Sequence, residues 1–254
     1  MKSPSARHGW AALGVALLLQ LAAGVVFGSR APLAFVAAAS ALSFLVAAVG
    51  VGVTAGLRPA ETLSLRRPDL AGVLVAFAGA VALHFVLRAA APAVEDLLRR
   101  LNWETPALLE EFVVRVRAEL ERSPVAVLLT VAALPALCEE TLFRGILLSG
   151  LRRSHGAGPA LVLSSAIFAA VHVAPLRVVL TFALGLYFAL VVLSTRSLWP
   201  AILAHFTNNV LALIVPETLP GRNVIAIVAL PVLVAVVAVL RRRYVRLSSG
   251  GLAE

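Results

Sequence analysis

The chain has 254 residues, 61% of them hydrophobic and only 14% charged, where a soluble domain carries about 45–50% and about 25%. With a mean hydropathy of +0.97, it reads as an integral membrane protein. The formal net charge of +9 does not point to nucleic acid: the arginines sit at the ends of apolar segments, where they set orientation in a bilayer, and no basic stripe with interleaved aromatics is present.

The apolar runs are long, which suits helices rather than the short alternating strands of a barrel. Eight spans are predicted, giving an all-α polytopic membrane helical bundle. The first covers about 10–28. It follows Lys2 and Arg7 as a signal peptide would, but more apolar runs come at once, so a retained signal anchor is expected. The second and third lie at about 32–53 and 70–90. Residues 91–123 differ, carrying most of the acids and a Thr105-Pro106 pair suited to a helix start. Beyond that pair, Leu108, Leu109, Phe112, Val113, Val116 and Leu120 fall on one side of a helix, and Glu110, Glu111, Arg115, Arg117, Glu119 and Glu121 on the other. This is an amphipathic interfacial helix, either a connector packed on the spans or a lid.

Five more spans follow at about 124–149, 157–173, 175–194, 198–216 and 223–240. The fifth and sixth are separated by little more than Pro175, so a tight helical hairpin is expected. The C-terminal Gly-Gly-Leu-Ala-Glu carries no lipidation signal. Three divisions result: residues 1–123 with the first spans and the connector, a core at 124–216, and residues 217–254 with the last span and a basic tail. Twelve Lys and Arg fall on the side of the N-terminus. Nine fall opposite, but six of these lie in or beside the connector, leaving Arg30, Arg177 and Arg222 in the short loops. Both termini are therefore expected to be cytoplasmic.

Within the spans the polar residues are few. Glu139 and Glu140 lie in the fourth, where an ionisable group costs roughly 2.5–3.5 kcal/mol on insertion scales. Arg144 is four residues beyond Glu140 and can pair with it on one face. Glu139 points about 100° away; a carboxylate raised in pKa by desolvation there suits a general base acting on water. Phe168 and His172 share a face in the fifth span, and the ring could lock the imidazole rotamer. His205 and Asn209 share a face in the seventh and suit an oxyanion as donors. At 1.5 Å per residue, Glu139 and Asn209 lie about 16 Å from the expected cytoplasmic end of their spans, His172 about 22 Å and His205 about 10 Å. That is one band near mid-bilayer. His84 reads as an interhelical hydrogen-bonder, and Cys138, the one cysteine, as a small core residue.

Glu-Glu-Thr-Leu-Phe-Arg at 139–144 resembles the E-E-x-x-x-R motif of the CPBP family, prokaryotic relatives of the type II C-a-a-X prenyl endopeptidase. Phe168-Ala-Ala-Val-His172 is similar to its F-x-x-x-H, and His205-Phe-Thr-Asn-Asn209 to its H-x-x-x-N, in family order. The resemblance implies a glutamate-dependent intramembrane endopeptidase. Glu139 would activate water with His172, and His205 and Asn209 would stabilise the tetrahedral oxyanion. Glu140, Arg144 and Phe168 would support, and Asn208 would be a second-choice donor. No cofactor or metal is expected.

Three other readings stay open. Glu139, His172 and His205 could hold zinc, although H-E-x-x-H is absent. The chain could be a non-enzymatic immunity factor, scaffold or transporter relaying protons; members of the resembled family have been linked to bacteriocin immunity and abortive infection. A rhomboid-like serine protease using Ser164 or Ser165 lacks a Gly-x-Ser setting. The expected substrate is a membrane-embedded or lipid-anchored protein, with a prenylated C-terminus or a C-terminal sorting helix. The Ala, Arg, Val and Leu bias with near absence of Lys suggests a prokaryotic inner membrane.

Overall fold

The computed structural model describes residues 2–27, 31–216 and 218–249, without the side chains of Phe27, Glu61 and Leu108. Arg30 and the C-terminal Gly-Gly-Leu-Ala-Glu therefore lie outside the described residues, as does the Leu108 side chain. Among the described residues every long element is a helix: α1 (Ala6–Phe27), α2 (Leu33–Thr54), α3 (Leu70–Arg100), α4 (Ala107–Arg122), α5 (Pro124–His155), α6 (Ala157–Ala170), α7 (Pro175–Thr195), α8 (Trp199–Ile214) and α9 (Arg222–Ser249). Six of them, α1, α2, α3, α5, α7 and α9, are long and apolar enough to cross a membrane, while α6 and α8 are apolar but shorter. The protein is an integral membrane protein of the all-α class.

Each predicted span coincides with a helix, and the amphipathic segment forms α4 directly after Pro106. α1 begins earlier than expected, at Ala6, α5 and α9 run on to His155 and Ser249, and two further boundaries also differ. The third helix does not stop near 90 but runs through Pro92 to Arg100. An interior proline costs a helix about 3 kcal/mol, yet Ala89, Ala90 and Ala91 before it are strong helix formers. Asp96 then pairs with Arg100 at 2.9 Å and with Arg99 at 3.8 Å along the last turns. The second difference is at α6, which ends at Ala170 rather than at 173.

The helices group into two compact units. The first comprises residues 1–65 and 106–164, the second residues 66–105 and 165–254. In the first, α1 pairs with α2, and both pack on α5. The approach is close at Gly150, where a Cβ would lie 2.3 Å from the Ser5 carbonyl oxygen. In the second, α3 lies against α7, α8 and α9. Asp69 caps α3 by accepting from the Gly72 N–H at 2.6 Å, and the Tyr187 hydroxyl on α7 donates to the Ala76 carbonyl at 2.7 Å. That bond leaves the phenol satisfied in an apolar setting, as a buried tyrosine requires.

Candidate active site

In the first unit the polar residues are carried by α5, and this helix is irregular. Its turns at Leu128–Ala133 and Thr141–Leu147 are wide π-helical ones, flanking a regular stretch at Leu134–Glu140. The first widening precedes Pro135. That residue has no N–H to donate four residues back, and its ring crowds the carbonyl there, so the ladder opens. The second begins directly after the glutamate pair. Such π turns inside helices are frequent at functional sites.

Arg144 Nη1 donates to Glu140 Oε1 at 3.0 Å, and neither side chain is exposed at all. Two charges removed from water together satisfy much of the cost that each would carry alone. Glu139 differs: it is half-buried, where Glu140 is fully buried, though Arg144 also feels its charge. The adjacent carboxylates thus stand in different surroundings. Cys138 is buried, as a core residue would be.

In the second unit Phe168 is the centre of a cluster. Its ring meets the His172 ring edge-on at 4.9 Å, the His205 ring edge-on at 5.8 Å and the Phe188 ring at 6.5 Å. Phe188 lies stacked on His205, with centroids 4.9 Å apart and planes 18° from parallel. His205 is thereby held between two aromatic side chains and is only 4% exposed. The close packing of α6 on α7 that permits this depends on Gly185: a Cβ there would lie 3.0 Å from Ser165 Cβ and 3.3 Å from Phe168 Cδ1.

His172 was expected inside a helix. It lies instead in the turn between α6 and α7, two residues past the last helical residue. Its Nδ1 is 2.8 Å from the Phe168 carbonyl oxygen. A carbonyl only accepts, so Nδ1 carries a proton, and in the neutral form of the ring Nε2 is the acceptor. An Nε2 in that state can serve as a base or as one metal ligand. Val173, next in the chain, has φ +60°, a left-handed conformation that strains a β-branched residue by about 1–3 kcal/mol. Strain of this kind is characteristic of sites where the backbone aims a side chain.

Asn209 and Asn208 are both half-buried on α8. Asn208 Nδ2 approaches Asn209 Oδ1 at 3.5 Å, and Asn208 Oδ1 lies 3.2 Å from Nδ1 of His84 on α3. The structure therefore gathers Phe168, His172 and His205 around one ring, and Asn208 and Asn209 in one amide pair, while Glu139, Glu140 and Arg144 share α5. His84 behaves as the interhelical hydrogen-bonder that its lone polar character suggested. Phe188 escaped the sequence reading, because it sits in an apolar run where nothing distinguishes it from its neighbours.

A family model described as type II CAAX prenyl endopeptidase Rce1-like matches residues 121–211. That range begins at the end of α4, covers α5, α6 and α7 and reaches into α8, so it holds every residue of the three motifs. Residues 121–211 are thus similar to the Rce1-like family. No curated protein and no solved structure matches the chain.

Proposed function

From the similarity of residues 121–211 to the Rce1-like endopeptidase family, we propose that the chain is a glutamate-dependent intramembrane endopeptidase acting on a membrane-embedded or lipid-anchored protein. Glu139 takes a proton from water, and the resulting hydroxide attacks the scissile carbonyl carbon. His172, through Nε2, shares the orientation of that water. The carbonyl oxygen becomes an oxyanion, to which Asn209 and His205 donate. The proton held by Glu139 passes to the leaving amine as the C–N bond breaks. Glu140 and Arg144 neutralise each other and hold α5, and Phe168 sets both imidazoles.

The observation that carries this reading is the division of the glutamate pair: Glu140 is fully buried against Arg144, while the half-buried Glu139 has a different environment on the same turn. The aromatic clamp on His205 and the fixed tautomer of His172 add to it. No step calls for a metal or other cofactor. We place the protein in a prokaryotic inner membrane on its Ala, Arg, Val and Leu bias, with both termini cytoplasmic on the arginine distribution; reporter fusions to each terminus test the orientation.

The decisive measurement uses the purified protein in lipid nanodiscs with a quenched-fluorescent farnesylated peptide ending in C-a-a-X, and in parallel a transmembrane-helix reporter. Glu139→Gln should slow cleavage by about 10²- to 10⁴-fold without a change in thermal stability. Retained cleavage in both Glu139→Gln and His172→Ala would overturn the proposal. Activity abolished by chelation and restored by zinc would instead establish the zinc mechanism. Cleavage of the reporter but not of the peptide would assign unprenylated membrane helices as substrate.

A further inference from the structure

The two ends of the second unit differ in charge. Where α3 stops, Arg99 and Arg100 both pair with Asp96, and Glu95 and Glu104 lie close by in sequence. At the other end α3 begins and α7 and α9 stop. The exposed cations there are Arg66, Arg67, Arg196, Arg241, Arg242 and Arg246. Among the described residues the acid at this end is Asp69, and it is already taken by Arg243 and by the Gly72 N–H. We propose that this rim is a binding surface for the headgroups of anionic phospholipids, held through phosphate by those guanidiniums.

Contacts between segments gather the rim. Ser197 Oγ, in the turn after α7, donates to the Arg66 carbonyl at 2.7 Å. Arg196, the left-handed cap of α7, donates to the Leu247 carbonyl on α9. Arg243 of α9 pairs with Asp69 at the start of α3. Three stretches far apart in the chain are thereby held side by side. On α9 the helical repeat separates the roles. Arg243 and Leu247, four residues apart, share the face that makes these ties. Arg242 and Arg246 share a face about 100° away and are exposed. Arg66, Arg67, Arg241, Arg242 and Arg246 make no ion pair among the described residues.

The rim stands at the level of a lipid headgroup. From Val224 to Leu240 α9 is apolar, a length of about 25 Å at 1.5 Å per residue, close to the roughly 27–30 Å of a hydrocarbon core. Arg241 follows directly. Trp199, three residues after Arg196, is 50% exposed at the start of α8 and marks the same level, since an indole settles at the interface. Phosphate is the anion met at that depth, and a guanidinium fork binds it through two parallel N–H bonds. Setting orientation requires only the number of arginines on a side. That role alone would leave the folded protein indifferent to lipid charge.

The test offers the purified protein in detergent equal amounts of phosphatidylglycerol and phosphatidylcholine with the same acyl chains. After gel filtration, mass spectrometry quantifies the lipid retained. Phosphatidylglycerol should be in about 5-fold excess or more, the factor that one basic side chain contributes near an anionic surface. Raising the salt from about 0.1 to 1 M shortens the screening length from about 10 to about 3 Å and should remove most of the excess. A variant combining Arg66→Gln, Arg67→Gln, Arg241→Gln, Arg242→Gln and Arg246→Gln should lose it at low salt, while Arg99→Gln with Arg100→Gln should keep it. Equal retention of the two lipids by the unaltered protein, an excess that survives high salt, an excess kept by the folded five-fold variant, or an equal loss in the Arg99 and Arg100 control would overturn the proposal. If the five-fold variant does not fold, the low- and high-salt measurements on the unaltered protein decide.

Discussion

In α5 the polar residues are held by charge, and around α6, α7 and α8 they are held by rings and amides. Glu140 and Arg144 meet four residues apart on one helix with no exposure. His205 is clamped between Phe168 and Phe188, side chains of two other helices. His172 leans on a backbone carbonyl from its own chain segment. The contrast follows from what each group must do. A charge that serves structure is cheapest when its partner is fixed on the same element. A counter-ion beside an imidazole would favour its charged form. Aromatic edges and carbonyls orient the ring without adding charge.

The comparison breaks first at the ion pair. Arg144→Ala strands a buried carboxylate and should destabilise the protein by about 3–5 kcal/mol, whereas replacing Glu140 and Arg144 together by leucine should recover most of that loss. Reversible unfolding in mixed micelles reads both; a double variant as unstable as the single one would mean that the pair holds α5 by something other than mutual neutralisation. The aromatic cluster should be less costly to disturb. Gly185→Ala forces Ser165 and Phe168 to give way by a few tenths of an ångström, and overpacking of this sort costs about 1–3 kcal/mol. Its activity should fall further than its stability, because the ring that meets both imidazoles moves. Cleavage rates unchanged in a destabilised Gly185→Ala protein would remove Phe168 from the orienting role.

The smallest effect lies outside the hydrocarbon, where α3 begins. Arg243 beside Asp69, together with the Gly72 N–H, holds that carboxyl below its ordinary value of 3.8. A lowered value in the folded state means that stability from Asp69 is complete above the ordinary value and is lost as the pH falls below it. The carboxylate is 58% exposed, so solvent screens most of the pair and the contribution is small. Melting of the unaltered protein and of Asp69→Asn should differ slightly at pH 6, and the difference should shrink as the pH falls below 3.8. A difference that does not shrink with falling pH would assign the effect to capping geometry rather than charge.

What could be read in advance differs between the two regions for the same reason. The Glu140–Arg144 pair was legible because i and i+4 meet on any helix, whatever else the chain does. The separation of Glu139 from Glu140 followed from the same geometry. The amphipathic α4 was legible from its two faces and from Pro106. The end of α6 was less so: Pro175 disfavours a helical residue before it, but the stop at Ala170 and the left-handed Val173 leave no mark in an apolar run. Phe188 and the contact from His84 to Asn208 were invisible, since partners on different helices have no shared periodicity.

By itself, then, the sequence determined a membrane protein made of helices, the position of each helix, and the three motifs with their order. These depend on apolar length, on the helical repeat and on short spacings, all of them local. The tertiary structure decided which ring lies on His205, where the turn places His172, which nitrogen of that ring carries the proton, and which amide faces which. Those depend on contacts between helices, and a contact between helices is fixed by packing that no single segment contains.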